Sequence, residues 1–153
     1  MIRIDIPATS ANLGSGFDSL GIALTMCNRV WMEEADELKI TTTDKIKVPT
    51  DETNLIYWAA RHLYQICGKT LPGLHIIQEN NIPMARGLGS SSACIVAGIL
   101  GANRMLGSPM SQSDLINLAA QIEGHPDNTS PAISGGLVAS AMAGKRVYSV
   151  SVP

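Results

Sequence analysis

Aromatic residues are scarce in this chain, with one Phe, three Tyr and two Trp among 153 residues. Proteins that read single-stranded nucleic acid stack bases on aromatic platforms beside a basic groove. Here eleven Lys and Arg are outweighed by thirteen Asp and Glu, for a net charge of −2. Nucleic acids and anionic membrane surfaces therefore lose their electrostatic basis as partners, and a small metabolite is the better expectation. No apolar run reaches the roughly 18 residues that a membrane span requires. Arg3 and Asp5 also break the first apolar stretch, where a secretory leader needs continuity. Three cysteines, Cys27, Cys67 and Cys94, form neither an even set for disulfides nor a metal-ligand spacing. They read as reduced core residues of a cytoplasmic protein. Repeats, low-complexity tracts and linker-like composition shifts are missing too, so the chain, 45% apolar and 16% charged, reads as one globular unit.

What the chain does have is concentrated in Ile82 to Met105, IPMARGLGSSSACIVAGILGANRM, a glycine- and serine-rich loop running into an apolar helix. Gly87 and Gly89 permit close backbone approach, and Ser90, Ser91 and Ser92 offer hydroxyls. A helix starting near Ser91 leaves unpaired N–H groups at its positive end. An anion fits there, at about 1.5–3 kcal/mol for each charge-assisted hydrogen bond. Ala93, Val96, Ala97 and Leu100 recur at helical spacing, with Ile95, Ile99 and Ala102 filling most of the rest, which predicts a buried helix. The loop is not a Walker A motif, because no Lys follows Gly89. Nor is it a dinucleotide fingerprint, because Ser92 stands where the third glycine belongs. On its residues alone it is either an anion cradle or a tight turn with a serine N-cap.

Around it, Ile2, Ile4 and Ile6 alternate with polar residues as a strand does, and Pro7 is expected to stop that strand. Ala8 to Asp18 reads as a polar loop, Leu20 to Glu34 as a long strand, and Leu38 to Thr43 as its hairpin partner. Thr53 is placed to N-cap a helix from Asn54 to about Cys67, with Leu55 on its apolar face, and Leu74 to Gln78 reads as the strand feeding the central loop. Ser111 and Asp114 form a capping pair for a helix striped with Leu115, Leu118, Ala119 and Ile122 that ends on Glu123 and Gly124. A polar cluster from His125 to Ser130 precedes two strand-like runs, Leu137 to Met142 and Arg146 to Val152. The last of these ends without a closing element, which suggests a truncated chain.

The order P-x-x-x-G-L-G-S-S, carried by Pro83, Gly87, Leu88, Gly89, Ser90 and Ser91, resembles the phosphate-binding motif of the GHMP kinases. Two further stretches resemble the homoserine kinases within that family: Pro7 to Asp18, PATSANLGSGFD, and Glu123 to Pro131, EGHPDNTSP, with its glutamate and H-x-D-N run. The resemblance implies an α+β fold like the second domain of ribosomal protein S5, a mixed sheet backed by helices. Residues 1–153 would form the family's N-terminal ATP-binding domain, with the C-terminal domain outside this chain. It also implies transfer of a phosphoryl group from ATP, with Mg²⁺, to the side-chain hydroxyl of L-homoserine on the route to threonine, and it admits a homodimer.

By the same resemblance, loop amides from Arg86 to Ser91, within the matching run Pro83 to Ala93 that includes Ser92, hold the ATP phosphates. Ser91 and Glu123 match the metal positions, and Asn12, Asp18, His125, Asp127 and Asn128 match the homoserine pocket, with Asp18 set for the ammonium or the hydroxyl. Asn128 stands where some relatives carry a catalytic aspartate. An amide takes no proton, so either the hydroxyl proton passes to phosphate or solvent, or Asp127 acts as base. Each residue has an ordinary alternative: Ser91 a helix cap, Glu123 a solvated helix end, Asn12 and Asp18 turn-stabilising residues, His125 a packed loop histidine. Two departures stand out. Gly124 alone separates Glu123 from His125, a shorter spacing than in many homoserine kinases. The downstream arginines expected for the homoserine carboxylate are also missing, so this chain alone is expected to bind homoserine poorly. Two other functions remain open: a GHMP kinase acting on mevalonate or a sugar, and a non-catalytic nucleotide- or partner-binding domain of the same fold.

Overall fold

Period-2 patterning builds the spine of the molecule. The structure, a computed structural model, describes residues 1–153. Strand β2 (Leu20–Glu34) buries Asn28, Val30 and Met32 on one face. Strand β1 (Ile2–Ala11) runs antiparallel along one edge of β2, with Ile2 opposite Met32 and Ala11 opposite Gly21. The other edge is shared, β4 (Leu74–Glu79) lying against Arg29 to Glu34 and β5 (Leu137–Ala143) against Leu20 to Ile22. Strands β3 (Lys39–Thr42) and β6 (Arg146–Val152) add at the two ends, giving the order β3-β4-β2-β5-β6 with β1 beside β2. Helices α1 (Leu55–Ile66) and α2 (Ser90–Met105) join the sheet in one continuous core, to which Leu115, Leu118 and Ala119 of α3 (Gln112–Glu123) also belong. The architecture is α+β, a mixed sheet backed by helices, as the resemblance implies.

Several local expectations are revised. Pro7 does not end β1. The register slips between Pro7 and Thr9, where Cys27 to Ala23 of β2 answer two steps of β1. An edge strand tolerates a missing N–H, and a bulge absorbs the irregularity. The expected hairpin of Leu38 to Thr43 with β2 does not form, because β4 occupies that edge of β2 and β3 pairs with β4 in parallel. Thr53 does not cap α1. Its N–H turns to Asp51 Oδ1 at 2.9 Å, while Asn54 Oδ1 accepts the N–H groups of Ile56 and Tyr57 at 3.0 and 3.4 Å. Asn54 Nδ2 donates to the Pro49 carbonyl and to Gln78 Oε1, so the amide of this buried residue is used at both ends. Leu55 is exposed rather than part of the packed face. The cysteines are free and partly buried; Cys67 and Cys94 pack against the core, whereas Cys27 does not.

Helix α3 forms as patterned, with reciprocal Ser111 and Asp114 bonds at its start and Gly124 closing it. The polar cluster after it folds into a short helix, α4 (Thr129–Ser134), that the composition does not announce. No helix is long and apolar enough to cross a membrane.

Candidate active site

The glycine-serine loop is fixed at its start by a buried amide. Asn28 Oδ1 of β2 accepts the N–H groups of Asn81 and Ile82 at 2.7 and 2.8 Å, which sets where the chain leaves β4. The loop then turns through Gly89, which adopts φ 68° and stands as the N-cap of α2 without a side-chain cap bond. The serine cap therefore does not form. Ala93 N–H makes the first bond of the helix, to the Gly89 carbonyl at 2.8 Å. The amides before it, at Ser90, Ser91 and Ser92, are the open donors at the positive end of a sixteen-residue helix.

On one side of this turn lies a cleft of about 260 Å³ walled by Val48, Leu55, Ile82 and Cys94, with Asn54, Gln78, Asn80, Ser90 and Ser91 as its polar lining. Leu55 is exposed because it faces this opening. Burial pushes the Cys94 thiol up to about 11, so at neutral pH it is an apolar wall and not a nucleophile. Lys47 also lines the cleft, and like Asn54 and Asn80 it carries no sign of a binding site in the sequence. They come from separate segments that no spacing rule links.

On the other side lies the H-x-D-N turn. A Cβ on Gly89 would run into Thr9 Oγ1 and stand 3.2 Å from Asn128 Oδ1, so only glycine lets the loop approach this turn. Thr9 Oγ1 donates to Asn128 Oδ1 at 2.7 Å. His125 Nδ1 and Asp127 Oδ1 lie 2.5 Å apart, and Asp127 Oδ1 also accepts Asn128 N–H at 3.1 Å. Asp127 is 1% exposed, and its Oδ2 has no hydrogen-bond partner. Ligand atoms of Asp18, His125 and Asp127 all fall within 4.8 Å of one another. Gly21 of β2 permits the turn to settle on the sheet, since a Cβ there would collide with the Asp127 carbonyl.

Most of the sequence-derived candidates converge here. Asp18 reaches the cluster because Asn12 Oδ1 accepts its N–H at 2.7 Å, both residues holding positive φ (58° and 56°). Asn12 thus orders the loop, in the manner of its ordinary alternative. Glu123 is not a bare helix end, since Ser92 Oγ donates to its Oε1 at 3.0 Å and ties it to the start of α2. An exposed Ser91 hydroxyl and a carboxylate held one residue away are hard oxygen donors of the kind Mg²⁺ accepts. Pro83, Arg86 and Gly87 are exposed on the loop, and Leu88 is tied down by its carbonyl, which accepts Thr9 N–H at 3.1 Å. Ala93 departs from the expected phosphate-binding set. Its amide is committed within the helix and its side chain is buried in the core. Thr9 is the residue that the sequence analysis passes over. Its only signal is its place inside the first motif.

Residues 54–136 match the sequence profile described as GHMP kinases N terminal domain. The chain is 45% identical over 155 residues to a homoserine kinase of Petrotoga mobilis, covering 99% of this chain and 50% of that protein. With a homoserine kinase of Trichodesmium erythraeum it shares 46% identity over 157 residues, 99% of this chain and 52% of the other. The crystal structure of homoserine kinase from Cytophaga hutchinsonii superposes with a TM-score of 0.85 at 30% identity, covering 99% of this chain and 51% of that one. The chain spans about half the length of the curated relatives it matches.

Proposed function

The chain belongs to the GHMP kinases, and on that premise we propose that the protein containing it is a homoserine kinase, phosphorylating the side-chain hydroxyl of L-homoserine with ATP and Mg²⁺. The observation that carries the reading is the approach of Gly89 to Asn128, which sets open helix amides beside an acceptor-side polar turn. Identity of 45% to a protein named homoserine kinase supports the acceptor.

Phosphoryl transfer asks a protein mainly to align reactants and neutralise charge. The amides of Ser90, Ser91 and Ser92 hold phosphate oxygens, and the cleft beside Leu55 and Cys94 receives the purine. Ser91 and Glu123 would hold Mg²⁺, which would supply positive charge against the phosphate oxygens. Asp18 pairs with the ammonium of homoserine. Asp127 works as the orienter of His125 rather than as a base: its Oδ1 fixes the imidazole through Nδ1, which leaves Nε2 for the substrate. The proton of the attacking hydroxyl passes to phosphate or solvent. A cytoplasmic setting belongs to the same proposal, as the place of small-metabolite biosynthesis.

A coupled ADP assay tests this on the protein carried to the full length of its relatives. ADP release is expected with L-homoserine and not with mevalonate or galactose. Equal rates on all three would remove the substrate assignment.

A further inference from the structure

Thr9 is the one residue bonded to both halves of the site. It is 1% exposed. Its N–H donates to the Leu88 carbonyl in the phosphate loop at 3.1 Å, and its hydroxyl donates to Asn128 Oδ1 at 2.7 Å. Its Oγ1 is also the atom that a side chain on Gly89 would strike, so the loop is seated directly on this hydroxyl.

A hydroxyl has a single hydrogen to give. In this arrangement it goes to Asn128 Oδ1, which leaves Nδ2, a donor, as the end for a ligand. Asn128 is held from its backbone as well, through its N–H to Asp127 Oδ1 at 3.1 Å. A β-branched side chain suits the task, because Thr is stiff at χ1 and keeps the hydroxyl where a freer side chain would turn it away.

We infer that Thr9 is a positioning residue: its hydroxyl locks the Asn128 carboxamide so that Nδ2 donates toward the oxygens of the transferring phosphoryl group. The inference rests on the phosphotransfer reading above and deepens it. Asn128 then stabilises developing negative charge and takes no proton, which is the work of an oriented donor. Thr9 also links the two sides of the reaction, since the residue that aims Asn128 is the one that anchors Leu88 in the phosphate loop.

Thr9→Val, near-isosteric and lacking only the hydroxyl, is compared with Thr9→Ser in the full-length protein. The Val variant is expected to lose about tenfold or more in kcat, the size of one well-placed hydrogen bond, with KM for ATP within about threefold, and Ser to recover most of the loss. In an Asn128→Ala background the same Thr9→Val change is expected to cost nothing further, because its effect passes through Asn128. Equal losses in Val and Ser, an unchanged kcat in Val, or additive losses in the double variant would each overturn the inference. The chain Met1 to Pro153 supplies a readout independent of the acceptor, and of the folding of the Val variant. The Asn128 side-chain amide resonances are expected to keep their shifts in Thr9→Ser and to move in Thr9→Ala, and unmoved resonances in Thr9→Ala overturn it as well. Failure to turn over L-homoserine in the wild type strikes the substrate assignment alone and leaves this resonance comparison standing.

Discussion

Ser92, in the first turn of α2, donates its hydroxyl to Glu123 at the last turn of α3, 3.0 Å away. The bond joins residues 31 positions apart and brings the carboxylate to the open amides of Ser90 and Ser91. A helix C-terminus is a poor place for a carboxylate, because the dipole there is negative. The positive end of α2, where Ser92 holds the carboxylate, offsets that cost.

From this follows the first prediction. Glu123→Gln in the full-length protein keeps the Ser92 bond but removes the one negative charge that Ser91 and Glu123 offer to Mg²⁺, and turnover at fixed Mg²⁺ is expected to fall by roughly two orders of magnitude or more. Steady-state kinetics across a Mg²⁺ titration, with thermal melting as the folding control, make the check. Unchanged kinetics would take Glu123 out of the metal site.

Gly89→Ala is expected to destabilise the fold by about 1–3 kcal/mol, because it forces alanine into φ 68° and drives a methyl into Thr9 Oγ1. Nucleotide affinity is expected to fall with it, as the loop must move off its seat. Calorimetric melting and ADP titration of the same sample report both, and a variant as stable as the wild type with unaltered ADP binding would contradict the geometry described.

Asn54→Ala removes the cap of α1 and leaves Gln78 Oε1 and the Pro49 carbonyl without their donor. Loss of a cap costs about 1 kcal/mol and unpaired buried acceptors add to it. Urea unfolding is expected to show a loss of about 2 kcal/mol, whereas Thr53→Ala is expected to lose less than half of that. The reverse ranking would return the cap to Thr53.

Asp44 sets an acid-side dependence. Burial alone raises its pKa, but the N–H groups of Asn80 and Ile46 outweigh burial and hold the carboxyl below its ordinary value of 3.8. A folded pKa below the unfolded one gives stability that is complete above about pH 4 and lost as pH falls through the folded value. Asp44→Asn is expected to lose about 1 kcal/mol at pH 7 and to show a shallower decline between about pH 5 and 3. Urea midpoints at pH 7, 5 and 3 decide it, and parallel curves for variant and wild type would exclude the carboxylate. Asp5, Asp51 and Asp114 are lowered too, so part of the wild-type slope persists in the variant.

Patterning made much of the fold legible. The α2 stripe from Ala93 to Ala102, the Ser111 and Asp114 pair, and the alternation in β2 each express one local period, and each forms as read. The site was legible as a set of residues, because glycines, serines and the H-x-D-N run are chemistry-bearing types in a recognisable order. Errors fell where a neighbour distant in sequence decides. Nothing near Lys39 announces that β4 will insert between β3 and β2, and nothing near Thr53 announces that Asn54 will find Gln78. Thr9 escaped notice because the stretch from Ala8 reads as a polar loop, where a threonine is ordinary until its hydroxyl meets Asn128, 119 positions away.

The sequence by itself determined the alternation of strands and helices, the anion-receptive loop and the absence of a basic or aromatic surface, since these depend on side-chain type and spacing along one segment. Only the tertiary structure decided which faces meet: Ser92 on Glu123, Thr9 on Asn128, Asn54 on Gln78. Contacts of that kind arise when a common core draws separate elements together, and no local period encodes the direction in which a side chain then points.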